Sequence, residues 1–245
     1  MGAANDLEPL PEDWSRALAV AAHPDDLEYG AASAIARWTS QGKSIDYVLV
    51  TDGEAGIDGM APEQAGPLRR DEEVASAAVV GVQTVDFLGF ADGLVEADHS
   101  LRRALAASIR RHRPDVLIGV NFRESFGGPG WNHVDHRNVG VAVLDAARDA
   151  GNRWLFTDLL DEGLEPWPGV RFAAFANSPE GAHGVDVGEH LDAGIASLEQ
   201  HRVYLDALPE GTMGKDPEAM LRQFASQVGP RLGVDAAVQF ELFPL

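Results

Sequence analysis

Two short polar segments of this sequence contain residue types that suit metal-assisted hydrolysis. Residues 23–26 are His-Pro-Asp-Asp, directly after a short apolar run, and residues 133–136 are His-Val-Asp-His. Two histidines three positions apart lie on one side of a helical turn, so both rings can reach the same point. His23, Asp26 and His136 together provide two imidazoles and one carboxylate. Three protein ligands with a fourth position left to water are the pattern of a catalytic zinc site.

Each segment also has a purely structural interpretation. An Asp in the first turn of a helix complements the helix dipole, and Pro suits the first helical position. Histidine pairs of this spacing are also frequent without any metal. The catalytic interpretation is favoured because both segments follow predicted strands and their residues complete one ligand set. In that interpretation Asp25 and His133 do not bind the metal and are available for proton transfer.

The elements that position these segments alternate between strand and helix. Apolar runs predict strands, and apolar residues at helical spacing predict helices. Strands are expected at 16–22, 44–51, 84–88, 115–120 and 171–176, and helices at 30–41, 68–80, 100–113 and 139–151. This alternation predicts one Rossmann-like α/β domain with a mostly parallel sheet and helices on both faces. Loops that follow the strands of such a sheet lie along one edge, so the two polar segments can meet there.

Other parts of the chain carry weaker signals. Glycines and prolines in residues 57–67 predict an irregular loop. Apolar residues spaced over 191–208 predict one long helix, on whose apolar face His201 is expected to be buried and hydrogen-bonded, with a place in the lining of the site as the alternative. Asp52 and Glu54, after the second predicted strand, are either turn formers or supports for metal ligands.

Length and composition favour one globular domain. The 245 residues are 45% hydrophobic and 24% charged, which is the ordinary globular range. Residues 15–245 are expected to form the domain, and the acidic, proline-containing residues 1–14 are expected to be a mobile lead-in. That lead-in has no basic start or apolar centre, so no signal peptide is predicted. Because no apolar run is long enough to cross a bilayer, a cytoplasmic protein is expected.

Charge and missing motifs exclude several classes of function. The chain has 39 acidic and 19 basic side chains, a net charge of −20, which disfavours nucleic acid and anionic membranes as partners. It has no cysteine, so disulfides, thiol catalysis and thiolate metal sites are excluded. Neither a phosphate-binding loop nor a Gly-x-Gly-x-x-Gly motif follows the first strand, and no Gly-x-Ser-x-Gly motif occurs. These absences disfavour a nucleotide-binding enzyme and a serine hydrolase.

The polar segments resemble those of the LmbE-like, or PIG-L, family of zinc-dependent N-acetylglucosaminyl deacetylases. The resemblance is carried by residues 22–26, with Glu28 and Gly30 behind them, and by residues 133–136. Weaker family blocks are found at 51–54, 70–73 and 87–93. The similarity covers roughly residues 16–145, with a fainter match at 198–208. The two histidine motifs in this order are the most specific part of it.

The resemblance implies a role for individual residues. His23, Asp26 and His136 correspond to the zinc ligands, Asp25 to the general base, and His133 to the residue that stabilises the oxyanion and can protonate the leaving amine. Arg70 and Asp92 correspond to substrate contacts, with Arg69 as the alternative to Arg70 because the alignment can slip by one. Trp131, beside His133, either stacks on a sugar ring or anchors its own loop. The resident metal stays open, since a two-His, one-Asp site also accepts Fe(II) or Co(II).

Three functional hypotheses follow. The first is a zinc-dependent N-deacetylase whose small-molecule substrate is an N-acetylated amino sugar. The second keeps the metal but has a larger amide as substrate, such as a thiol conjugate or an acylated natural product. The third is a non-catalytic, metal-bearing sugar-binding protein, which would have no need for both Asp25 and His133. Members of the family often assemble, so a homo-oligomer is a further expectation from the resemblance.

Overall fold

The computed structural model describes residues 6–245 and contains an eight-stranded sheet. The strands are β1 (Glu8–Pro9), β2 (Arg16–Ala21), β3 (Ser44–Thr51), β4 (Val85–Phe90), β5 (Val116–Val120), β6 (Phe172–Ala176), β7 (His183–Asp186) and β8 (Ala237–Pro244). Their order across the sheet is β1-β7-β8-β6-β5-β2-β3-β4. Neighbouring strands are parallel except where β8 pairs with β6 and β7. The predicted α/β class with a mostly parallel sheet is confirmed.

Helices cover both faces of the sheet, as predicted. They are α1 (Asp26–Gly30), α2 (Ala32–Ser40), α3 (Pro62–Val79), α4 (His99–His112), α5 (Val134–Gly151), α6 (Asp158–Asp161), α7 (Leu191–Leu198), α8 (Arg202–Ala207) and α9 (Pro217–Leu232). One buried core contains Ile35 and Leu198, from α2 and α7, and the other contains Leu105 and Val143, from α4 and α5. Within residues 6–245, no helix has the length and apolar character that a membrane crossing requires.

The sheet reverses its strand order at β2. The chain passes from β2 to β3 and β4 on one side, and β5 then returns to the opposite side of β2. In open α/β sheets, the crevice at such a reversal, at the carboxyl ends of the strands, is where ligands bind. Residues 23–26 leave β2 there, and residues 121–136 leave β5 there. The topology therefore brings the two polar segments together.

The N-terminal segment differs from the expected mobile lead-in. Residues 1–5 lie outside the described residues, but β1 pairs with β7, and Leu7, Leu10 and Trp14 are buried. The indole of Trp14 also packs edge-on against that of Trp38, with ring centroids 5.3 Å apart. Apolar side chains in this acidic stretch thus find their partners far along the chain, which local composition does not reveal.

Two expected boundaries are also corrected. Helix α3 begins at Pro62, within the predicted loop 57–67, because Pro at the first helical position has no N–H to leave unpaired. The long helix expected over 191–208 is instead two helices, α7 and α8, that meet at His201. The carboxylate of Glu72 accepts the N–H of Val203 at 2.7 Å and so stabilises a second helix start. The sequence analysis did not predict β1, β7, α6 or α9.

Candidate metal centre

Three side chains from the two polar segments converge at the end of β2. His23 Nδ1 lies 3.2 Å from His136 Nε2 and 3.4 Å from Asp26 Oδ2, and His136 Nε2 lies 2.9 Å from Asp26 Oδ1. Ligand atoms at about 2.0–2.1 Å from a tetrahedral ion stand about 3.3 Å apart. The two imidazole nitrogens have this separation, and each lies near one oxygen of the Asp26 carboxylate, so the three side chains form a group that could hold an ion.

Neighbouring polar groups orient both imidazoles toward this point. His23 Nε2 lies 3.1 Å from Asp135 Oδ2 and 3.1 Å from Asp92 Oδ1, on the side of the ring away from the cluster. His136 Nδ1 lies 2.9 Å from Asn132 Oδ1. A metal-binding histidine commonly donates its other N–H to a carboxylate or carbonyl oxygen, which fixes its tautomer. Asp135 and Asn132 supply that support here, and the sequence analysis assigned a role to neither.

The charges of the cluster favour a cation between its members. Burial by itself lowers the pKa of His23, but the Asp26, Asp135 and Asp92 carboxylates outweigh it and hold that pKa well above its usual range. Burial likewise lowers the pKa of His136, and Asp26 outweighs it and raises that pKa. The carboxylates around the two imidazoles thus leave an excess of negative charge at the cluster. A divalent cation would balance this charge while its histidine ligands stay neutral.

Asp25 does not cap the helix that follows it. Its backbone is in the left-handed region, with φ 92°, and its side chain makes no hydrogen bond to a helical N–H. Its own N–H donates to Glu73 Oε2 at 3.1 Å. Asp tolerates this conformation better than most residues, although it is uncommon and typical of functional sites. The helix-cap interpretation of residues 23–26 is therefore wrong for Asp25, whose carboxylate makes no hydrogen bond to the helix.

Arg69 on α3 contacts the turn that contains Pro24 and Asp25. It is only 3% exposed, pairs with Asp25 Oδ2 at 3.1 Å and donates to the carbonyl oxygens of Pro24 and Gly53. Gly53 has φ 64°, and a Cβ there would collide with this guanidinium. Burial raises the pKa of Asp25 to about 7, even though Arg69 lowers it. Asp25 is thus a buried carboxyl that gains and loses its proton near neutral pH.

The structure favours Arg69 over Arg70 as the arginine of the site. Arg70, one position further along α3, is exposed, lies 3.5 Å from Asp52 Oδ2 and packs over the ring of Phe87. Arg69 is the arginine that contacts the Asp25 turn, whereas a substrate contact of Arg70 stays a prediction. Glu54 accepts the N–H of Asp92 at 2.9 Å, so it supports the Asp92 loop rather than only its own turn.

Three further titratable side chains lie buried behind Asp25. They are Glu28, Glu73 and His201, and His201 Nε2 is 3.8 Å from Glu28 and 3.6 Å from Glu73. Burial raises the pKa of Glu28 to about 7 and that of Glu73 well above its usual range. Burial, with Arg69 nearby, lowers the pKa of His201 to about 3. His201 is buried as expected, but within residues 6–245 neither ring nitrogen has a hydrogen-bond partner.

His133 caps the start of α5 with its own ring. Its Nδ1 accepts the N–H of Asp135 at 3.2 Å, and its ring centroid lies 5.1 Å from that of His23. Burial and the nearby His23 lower the pKa of His133. With Nδ1 held as an acceptor, a neutral His133 carries its hydrogen on Nε2. It can therefore donate a hydrogen bond without first being protonated.

The other two expected substrate contacts are Asp92 and Trp131. Asp92 contacts His23 directly and also accepts the N–H of Ala55 at 2.8 Å. Trp131 is exposed, and the guanidinium of Arg137 lies 4.9 Å from the centroid of its ring. A contact between Trp131 and a sugar ring stays a prediction.

The two carboxylates on His23 are expected to have separable effects. Asp135→Asn should weaken metal binding by about 10–100-fold, because a buried partner of a ligand histidine is changed. Asp92→Asn should weaken metal binding less, because Asp92 is the less buried partner of His23, and should raise KM because Asp92 is an expected substrate contact. Metal dissociation constants from chelator competition, together with steady-state kinetics, measure both. Equal loss of metal affinity in the two variants would contradict the assignment of Asp92 to substrate.

Comparisons with known proteins agree with this geometry. Residues 18–147 match the PIG-L family, described as GlcNAc-PI de-N-acetylase. A diacetylchitobiose deacetylase of Thermococcus kodakarensis is 27% identical over 191 residues, covering 77% of this chain and 70% of the relative. A 1D-myo-inositol 2-acetamido-2-deoxy-alpha-D-glucopyranoside deacetylase of Mycobacteroides abscessus is 28% identical over 238 residues, covering 80% of this chain and 84% of the relative.

Solved structures share the fold. An N,N'-diacetylchitobiose deacetylase from Pyrococcus horikoshii superposes with a TM-score of 0.85 at 24% identity, covering 95% of this chain and 85% of that one. A conserved protein from Thermus thermophilus has a TM-score of 0.73 at 28% identity, covering 94% and 95% of the two chains. The family match spans more than half of the sequence and includes every residue of the metal cluster. The chain belongs to the PIG-L, or LmbE-like, family.

Proposed function

We propose that this protein is a metal-dependent hydrolase that removes an N-acetyl group from an amino sugar, with zinc as the metal. The observation that carries the proposal is the convergence of His23, Asp26 and His136 beside a buried Asp25 that makes no cap. A structural metal site would need no such neighbour. A hydrolase needs a base at this position to take a proton from water.

The metal and the side chains beside it would have separate roles in the hydrolysis. A zinc ion held by the three ligands would supply a water acidic enough to lose a proton near neutral pH, and would polarise the acyl carbonyl. Asp25 takes the proton as the water attacks that carbonyl. Its Oδ2 lies 3.1 Å from a guanidinium nitrogen of Arg69, which holds the carboxylate in place beside the metal ligands. A base whose pKa lies near the working pH is well matched to this transfer.

We assign His133 the hydrogen-bond donor role in the same reaction. Its Nε2–H can donate to the carbonyl oxygen as negative charge develops there, which is the role of an oxyanion-hole donor. The amine must leave with a proton, and either Asp25 or His133 can deliver it. Because His133 is exposed whereas Asp25 is buried, the substrate reaches His133 from the solvent side.

The relatives support the choice of substrate class. The names of the Thermococcus and Mycobacteroides proteins both denote deacetylases of acetylated sugars. A mycothiol S-conjugate amidase of Streptomyces coelicolor is also similar, at 29% identity over 161 residues covering 56% of this chain and 54% of that relative. A larger amide is therefore the second candidate substrate for the same site.

Metal content and acetate release test the proposal together. The purified wild type is expected to hold one metal ion per chain and to release acetate from N-acetylglucosamine or its oligomers. Dialysis against a chelator should abolish turnover, and added zinc should restore it. His136→Ala should lose both metal and turnover because one of three ligands is removed. His99→Ala, an exposed histidine at the start of α4, is the matched control and should lose neither.

The alternatives give different results in the same assays. Metal retention without hydrolysis of any amide in a broad panel would favour a non-catalytic sugar-binding protein. Hydrolysis of long acyl amides alone would favour the second candidate. Full turnover by metal-free His136→Ala would contradict the proposed function itself.

A further inference from the structure

Helix α3 presents a buried polar stripe to the segment 24–28. Arg69, Glu73 and Ser76 recur at helical spacing, so they lie on one face of the helix, and none is more than 3% exposed. The buried face of a surface helix is normally apolar. A stripe of one guanidinium, one carboxyl and one hydroxyl group instead makes directed polar contacts with the segment it faces.

Glu73 makes its hydrogen bond to the backbone of Asp25. Its Oε2 accepts the N–H of Asp25 at 3.1 Å, whereas within residues 6–245 its Oε1 has no hydrogen-bond partner. His201 Nε2 lies 3.6 Å from Oε2, which is too far for a hydrogen bond. Burying a carboxyl group that is only partly hydrogen-bonded costs free energy. The contact with Asp25 therefore needs an explanation other than stability of the fold.

The contact is made to a residue with an uncommon backbone conformation. Asp25 has φ 92°, and a non-glycine residue stays in this left-handed region only where its surroundings hold it there. Arg69 donates to the carbonyl oxygen of Pro24, and Glu73 accepts the N–H of Asp25. These two atoms belong to the same peptide group. Side chains of α3 thus fix that peptide at its oxygen and at its nitrogen.

This fixed peptide determines where the carboxylate of Asp25 lies. Arg69 also pairs with Asp25 Oδ2 at 3.1 Å, so the peptide and the side chain are both held. A change in φ would rotate Cβ about the N–Cα bond and carry the carboxylate away from its present position. Displacing a reacting group by about 1 Å can lower a rate by about 10²-fold. The orientation of the peptide therefore matters to any proton transfer by Asp25.

We propose that Glu73 is a positioning residue for Asp25: its carboxyl group holds the Pro24–Asp25 peptide in the orientation that places the base beside the metal ligands. The inference rests on the proposed hydrolase function, because Asp25 is the base only in that reaction. Burial raises the pKa of Glu73 well above its usual range, so near neutral pH this group resembles a neutral amide in shape and charge. Glutamine is therefore its conservative replacement.

Variants of Glu73 test the proposal through kcat and KM. Glu73→Met removes the acceptor, and we expect kcat to fall by about 10²-fold while KM and metal content stay close to wild type. Glu73→Gln keeps an acceptor oxygen and should restore kcat to within about 5-fold of wild type. Asp71→Leu removes an exposed carboxylate from the same helix and should leave kcat unchanged. Wild-type kcat in folded, metal-loaded Glu73→Met would overturn the proposal.

A double mutant separates positioning of the base from a general loss of structure. In Asp25→Asn the base is already absent, so adding Glu73→Met should lower the residual kcat by less than about 2-fold. A further loss of about 10²-fold in the double mutant would mean that Glu73 acts independently of Asp25, and would overturn the proposal. Glu73→Ala provides the same comparison if Glu73→Met does not fold.

A crystal structure of the Glu73 variant gives a result that does not depend on activity. We expect Asp25 to leave the left-handed region and its carboxylate to move away from Arg69. An unchanged φ at Asp25, with the Arg69 contact retained, would overturn the positioning role even if the protein is a deacetylase. If Asp25 moves as expected but the wild type hydrolyses no amide, the proposed function fails and the structural role of Glu73 stands.

Discussion

Asp25→Asn is expected to lower kcat by about 10²–10⁴-fold while the metal content stays at the wild-type level. Asparagine tolerates the left-handed backbone that Asp25 adopts, so the turn should keep its shape. It cannot accept a proton from water, because an amide oxygen is far less basic than a carboxylate. Metal analysis, the thermal unfolding temperature and acetate release from one preparation are the three measurements needed.

The neighbouring loop offers a matched control for this variant. Asp52→Asn changes an aspartate whose contact is the exposed Arg70, and its turnover should stay within about 2-fold of the wild type. Wild-type turnover by purified, metal-loaded Asp25→Asn on every substrate would remove Asp25 from the mechanism. Loss of metal from this variant would instead indicate that Asp25 is itself a ligand.

Arg69→Met is expected to lower the free energy of unfolding of the metal-free protein by about 3–5 kcal/mol at pH 8. The change leaves the buried Asp25 without its cation and the Pro24 and Gly53 carbonyl oxygens without their donor. The deficit should be smaller at pH 5. The pKa of Asp25 is raised to about 7, so at pH 5 this group is protonated in both proteins and the ion pair is absent. Chemical denaturation at the two pH values measures the difference.

Arg69→Met should also shift the pH dependence of kcat/KM. Arg69 lowers the pKa of Asp25, so its loss raises that pKa and moves the acidic limb of kcat/KM to higher pH. Arg69→Lys, which keeps the charge, should restore part of the shift even if Arg69→Met folds poorly. Arg70→Met is the matched control, since an exposed arginine one residue away should change stability by less than about 0.5 kcal/mol. Equal effects of Arg69→Met and Arg70→Met would contradict the assignment of Arg69.

Sequence patterns predicted the strands around the site well because those strands are buried on both faces. Strand β3 has the predicted limits of residues 44 and 51, and β2 and β5 differ from prediction by one residue at one end. A continuous apolar run is the local signature of a central parallel strand. The weakest predictions concerned β1 and the break between α7 and α8, which depend on partners far away in the chain.

What the sequence determined by itself was the chemistry: two imidazoles and a carboxylate without thiols, placed where central strands end. Residue type and local spacing are enough for that. Only the tertiary structure decided that Arg69 rather than Arg70 contacts Asp25, and that Asp25 leaves the helix N-terminus uncapped. Adjacent helical residues point about 100° apart, so packing against the turn, rather than spacing along the chain, selects between them.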